Sequence, residues 1–139
     1  AFVISPRIQY SPDALFSYEQ ISGGNFTVGR GYDPGDLIGD SGYGGQFEVA
    51  YGSLVPETPD GIALQPFAFF DVLAVSTKNV PDDPQTISSI GAGLRTTVGR
   101  RASFDLFAAV PLESGTLQAE TPDLRILMNV TIRLAPWER

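Results

Sequence analysis

The chain has 139 residues, 42% of them hydrophobic and 18% charged, which is too apolar for a disordered tail and sized for one domain or part of a larger one. Its formal charge of −7 and single lysine argue against nucleic acid as a partner, because phosphates demand clustered Lys and Arg. With no cysteine and no histidine, disulfides, thiolate chemistry, a histidine general base and the usual zinc ligands are excluded.

The longest apolar runs fall well short of the ~20 residues that a membrane helix needs, so any membrane reading must use strands. The first residues, AFVISPRIQY, show no basic region followed by an apolar core, so no signal peptide is visible and the chain reads as mature or as a piece of something longer.

Period two organises the chain. From Ala1 to Tyr10, Phe2, Ile4, Pro6, Ile8 and Tyr10 fall on one face and Val3, Ser5, Arg7 and Gln9 on the other, the pattern of a strand with one apolar side. The stretch Gly23 to Tyr43 follows, GGNFTVGRGYDPGDLIGDSGY, with Arg30 as its one cation. It is too rich in glycine to be regular along its whole length, because glycine gives up backbone entropy and offers no side chain to pack. A second strand has Phe47, Val49 and Tyr51 alternating with Gln46, Glu48 and Ala50.

After the turn residues VPETPDG, Ile62 to Val75 reads as a long strand with Leu64, Ala68, Phe70 and Val72 on one face and Gln65, Phe67, Phe69 and Asp71 on the other. A polar loop from Ser76 to about Thr86 leads to a strand in which Ile90, Ala92, Leu94, Thr96 and Val98 alternate with Gly91, Gly93, Arg95 and Thr97. Gly99 to Arg101 make a tight turn. Phe104, Leu106, Ala108 and Val110 then alternate with Ser103, Asp105, Phe107 and Ala109. A loop PLESGTLQAETPD precedes the last strand, where Leu124, Ile126, Met128, Val130, Ile132 and Leu134 oppose Arg125, Leu127, Asn129, Thr131 and Arg133.

No charged residue falls on the apolar face of any of the six strands, and short connections alternate with long ones. Transmembrane barrels share both features. A soluble β-sandwich also alternates and stays open as the rival fold. The fold expected is all-β: an antiparallel transmembrane β-barrel portion of about six strands with a long lumen-inserted loop over residues 11–45. Eight strands are about the minimum for a single-chain barrel, and an open sheet leaves unpaired backbone at both edges. The chain is therefore expected to be the C-terminal part of a larger barrel, one of several chains sharing a barrel, or a barrel with two more strands hidden in residues 14–32. A strand from Asn25 to Tyr32 would put Arg30 on the face of Phe26, Val28 and Tyr32, into lipid at ~2–4 kcal/mol, so Arg30 belongs on a lumen loop.

The order SYEQISGGNFTVGRGYDPGDLIGDSGYGGQFEVAYG resembles the Glu-Gln, Gly-Gly, Arg-Gly-Tyr, Gly-Asp-x-Gly succession of the two-partner secretion transporters, the haemolysin secretion/activation family of the outer-membrane insertase and translocase superfamily. There a long loop folds back into the barrel and carries a Val-Arg-Gly-Tyr or Val-Arg-Gly-Phe tip. Arg30, Gly31 and Tyr32 match it, and Gly29 replaces the valine. A second motif, Phe-x-Asp-x-Gly on an inner strand, is matched by Phe69, Phe70, Asp71 and Val72, with Leu73 in place of the final glycine.

The resemblance implies a barrel of about sixteen strands behind periplasmic polypeptide-transport-associated domains, of which this chain supplies the last six strands. The tail from Ala135 to Arg139 runs past the final strand, where family members end on an aromatic residue, and Trp137 is the one candidate for that role. The implied function is export of a large unfolded partner protein across the bacterial outer membrane, with no catalytic residues and no cofactor.

Within that frame Arg30 is expected to form a bidentate pair with Asp71 that pins the loop tip (Gly29, Arg30, Gly31, Tyr32) to the inner-wall motif of Phe69 and Asp71. Gly29 and Gly31 would let the backbone approach the wall, and Tyr32 would stack on Phe67 or Phe69. The competing arrangement leaves Arg30 solvated and pairs Asp71 with Arg95. Arg7, Gln9, Glu48, Gln65, Arg95, Asp105, Asn129 and Arg133 would line the lumen. Asp33, Asp36 and Asp40 suit a loose calcium site but fit no EF-hand spacing and read as solvated loop acids. Asn25-Phe-Thr and Asn129-Val-Thr match the glycosylation pattern at chance frequency, and Glu48, Asp105 and Glu113 form no paired-carboxylate arrangement. Rival functions are insertion of other barrels into the membrane, a soluble or surface β-domain that binds a partner, and the barrel portion of an enzyme whose catalytic part lies elsewhere.

Overall fold

A computed structural model describes residues 1–78, 84–113 and 123–134. Eight strands occur among them: β1 (Phe2–Gln9), β2 (Ile21–Gly23), β3 (Leu37–Gly39), β4 (Ser41–Ala50), β5 (Ile62–Ser76), β6 (Gln85–Val98), β7 (Ala102–Pro111) and β8 (Arg125–Ile132). Six of them form one antiparallel sheet in the order β1-β4-β5-β6-β7-β8, and β2 and β3 make a separate two-stranded hairpin. The architecture is the expected all-β barrel portion, and β1 and β8 are not paired with each other.

The register carries the parity argument from strand to strand. Ile4 lies opposite Phe47, Phe47 opposite Phe70, Phe70 opposite Ile90, and Ile90 opposite Val110, so the even face of β1 continues as one apolar surface. On β8 it ends with Ile126, Met128, Val130 and Ile132, all exposed, and no charged residue stands on it among the described strands. An exposed apolar face this continuous needs lipid against it.

Several boundaries differ from those expected. β4 begins at Ser41, inside the glycine-rich stretch, so the loop between the first two sheet strands covers 10–40 and not 11–45. β6 begins at Gln85, five residues before the alternation shows. Part of the loop is regular after all, because β2 and β3 pair across Ile21–Gly39 and Gly23–Leu37. Trp137 and most of the PLESGTLQAETPD segment lie outside the described residues.

The inner face is less polar than a water-filled lumen requires. Leu73 and Val75 of β5 and Ile87 of β6 point inward and form a buried cluster with Ile21, Val28, Tyr32 and Leu37 of the loop. Further along the same face, Phe67, Phe69, Phe107, Ala109 and Leu127 cluster with Ala50. The loop thus supplies the apolar cover that lets the wall carry inward aliphatic and aromatic side chains.

Candidate functional site

The chain reaches the site through a tight tip. Gly29 has φ +89°, a region that L side chains rarely adopt, and a Cβ there would stand 2.6 Å from Ile87 Cδ1. A Cβ on Gly31 would meet the Pro111 nitrogen at 2.7 Å and Ser89 Cβ at 3.0 Å. Both glycines therefore sit where a backbone presses against the wall, and they bracket Arg30.

Arg30 is buried against β5. Its Nε donates to Asp71 Oδ2 at 3.0 Å and its Nη2 to Asp71 Oδ1 at 2.9 Å, while its own backbone N–H reaches the same Oδ2 at 3.1 Å. The planar fork thus engages both oxygens of a carboxylate whose side chain is 0% exposed. Nη1 turns to Glu48 on β4, at 3.3 Å from Oε2. Glu48 is also held by Arg95 on β6, which donates from Nη1 to Oε1 and from Nη2 to Oε2, the latter at 2.9 Å. Two guanidinium cations and two carboxylates alternate, so the buried network has no net charge, which a low-dielectric interior requires.

Aromatic rings floor this network. The Arg30 guanidinium carbon lies 3.5 Å from the centroid of Phe69, and that of Arg95 lies 4.0 Å from Phe67. Phe107 meets Phe69 edge-on at 5.7 Å and also receives Phe26 of the loop edge-on at 5.8 Å. Each cation faces the negative π surface of a ring, which strengthens the grip where water is excluded.

One expected contact takes another form, and the arrangement that competed with the Arg30–Asp71 pair is not found. Tyr32 does not stack on Phe67 or Phe69. Arg30 occupies the face of Phe69, and the Tyr32 ring joins the aliphatic cluster, with its hydroxyl 3.0 Å from the Ser88 carbonyl and 2.8 Å from that of Glu113. The Glu113 N–H donates to the same hydroxyl at 3.1 Å. Burial pushes the Tyr32 hydroxyl above its ordinary pKa. The pairing of Asp71 with Arg95 is absent, because Arg95 reaches diagonally across β5 to Glu48.

Two residues of the inner face, Arg7 and Gln9, also hold the loop. Arg7 Nη1 donates to the Ser22 carbonyl at 2.9 Å, and Gln9 Nε2 donates to the carbonyls of Glu19 at 2.8 Å and Asp40 at 3.3 Å. Gln65 bonds the Gly52 carbonyl at 3.2 Å, near the opposite end of the sheet. Asp105 stands across from Arg95 on one side and Asn129 on the other, all three on the inner face. Arg133 is exposed just past β8.

The loop acids do not converge. Asp33 pairs with Arg125 at 2.7 Å, and the Asp40 carboxylate is ringed by N–H donors. No group of acidic side chains arranged to hold a metal ion occurs among the described residues. Asp40 is held below the ordinary carboxylate range, first by the Gln20 side-chain amide and then by the N–H groups of Leu15 and Lys78. Sequence reasoning missed the position of Glu48 between two arginines. The available signal was its inner parity, shared with Arg95, two strands away. It also missed Gln46, which donates to the Thr27 carbonyl at 3.0 Å and steadies the tip.

The family model described as haemolysin secretion/activation protein ShlB/FhaC/HecB matches residues 2–96, which takes in β1 to β5, the whole loop and most of β6. No curated protein matches the chain.

Proposed function

The chain belongs to the haemolysin secretion/activation family of outer-membrane transporters, and on that premise we propose that its six-stranded sheet forms part of the wall of a pore through which a partner polypeptide crosses unfolded. The loop over residues 10–40 is the lumen element of that pore. Arg30 fastens its tip through Asp71 and Glu48, and Gly29 and Gly31 give the tip its close approach. The observation that carries this reading is the buried bidentate pair between a loop arginine and an inner-face aspartate, 41 positions apart, on a sheet whose other face is mainly apolar and carries no charged residue among the described strands. Neither a soluble domain nor a simple lipid anchor calls for that combination.

A stalled substrate tests the pore. A partner protein carrying a disulfide-stapled domain jams during export, and a single cysteine in the full-length transporter then reports which face the trapped chain touches. These 139 residues hold no cysteine, and any cysteine elsewhere in the full-length transporter is first replaced by serine. Asn129→Cys, on the inner face of β8, is expected to cross-link to the stalled partner, and Met128→Cys, on the outer face, is not. Equal cross-linking at the two positions, or none at either, rules out passage along this wall.

A further inference from the structure

We infer that Asp40 is a positioning residue that fastens the root of the loop separately from its tip and sets the depth at which Arg30 meets Asp71. The inference rests on the reading of residues 10–40 as a lumen loop. Asp40 stands between β3 and β4 and is 1% exposed. Its Oδ1 accepts the Leu15 N–H at 2.7 Å and the Gln20 side-chain amide at 2.9 Å, and its Oδ2 accepts the Lys78 N–H at 2.8 Å. Its carbonyl accepts from Gln9 at the end of β1. One residue thus joins the outgoing limb of the loop, the point where the loop returns to the sheet, the end of β1 and the segment after β5.

The neighbouring residue repeats the join. Ser41 Oγ accepts the Ser11 N–H at 2.9 Å and donates to the Ser11 carbonyl at 3.2 Å. The two ends of the loop are therefore stitched at one level, away from the ion pairs at the tip. Directly before Asp40, Gly39 ends β3 with its backbone against Val75, where a Cβ would come within 2.8 Å of the Val75 Cβ. A slip at Asp40 shifts β3 along β5, and with it the tip that β2 and β3 support.

The donor set also disposes of the metal reading at this residue. Three N–H groups point at the carboxylate, and a cation placed there would face their positive ends. For the same reason asparagine is a poor substitute, since its NH2 would be aimed at donors while one acceptor is lost.

The test uses the full-length protein in outer-membrane vesicles. Thr27→Cys and Gln46→Cys, a loop and wall pair joined by a hydrogen bond, are bridged by a short bismaleimide to report tip docking. Asp40→Asn is expected to lower the cross-linking yield several-fold at an unchanged amount of folded barrel, and to add little when Arg30→Ala has already freed the tip. An undiminished yield, or a fall that merely tracks the amount of folded barrel, overturns the inference. Should Asp40→Asn fail to assemble, Gln20→Ala removes a single donor and decides the matter by the same criterion, with a partial fall expected. The cross-link reads loop position whether or not a partner is exported, so a transporter that exports nothing would defeat the pore reading and leave this one standing.

Discussion

A guanidinium shared between two carboxylates holds its place only if all three groups stay charged and dry. Arg30 makes three hydrogen bonds to Asp71 and one to Glu48, over the ring of Phe69. Removing one partner of such a buried pair strands the other charge and costs about 3–5 kcal/mol, and lysine, a point donor, cannot restore the fork. Asp40 works differently, through neutral N–H donors, and this makes it sensitive to acid. Its carboxyl is held below the ordinary value of 3.8, so a freed loop takes up the proton before the docked loop does. The contribution of Asp40 is therefore whole above that value and drains as pH falls through the depressed one. A nitroxide at exposed Phe16→Cys should show an immobile loop from neutral pH down to the ordinary carboxylate range and released motion only below it, and in the Asp40→Asn background the motion should already be present at neutral pH. A spectrum that loosens near neutrality in the parent protein contradicts this assignment.

At the scale of the strand, alternation makes most of the sheet legible in the sequence. The faces of all six sheet strands, including the inward placement of Asp71, Arg95 and Asn129, follow from parity alone. The ends of strands are not legible, for identifiable reasons. Gly42, Gly44 and Gly45 lack the side chains that reveal a face, which hides the start of β4. The run Val72 to Val75 loses its alternation because the loop covers the inner side while lipid covers the outer. β2 and β3, at three residues each, are too short to show a period, and Tyr32 has a ring that serves a stack or an aliphatic pocket equally well.

The outer face carries its own prediction. Ala92 stands in the middle of β6, between Ala68 and Ala108, on the apolar side. Ala92→Arg should cost about 2–4 kcal/mol in a lipid environment, read as a lower midpoint of urea unfolding, whereas Asn129→Arg on the inner face should cost far less. Equal costs would remove the basis for assigning the two faces.

The six-stranded sheet cannot stand in a bilayer as it is. Its outermost strands, β1 and β8, are not paired with each other, and each unpaired backbone group in hydrocarbon costs several kcal/mol. Further strands must complete the wall, and the loop, held at its tip by Arg30 and at its root by Asp40, then occupies the interior of a closed barrel. We propose that the Arg30–Asp71 pair fastens this loop in a secretion pore. The most direct measurement is partner protein released to the medium by the full-length transporter carrying Arg30→Ala, Asp71→Ala or both, normalised to transporter in the membrane. Each single substitution is expected to lower export about tenfold or more, and the double to be no worse than the single, because both remove one shared interaction. Single variants that both export at the parental level, or losses that multiply in the double, would contradict it.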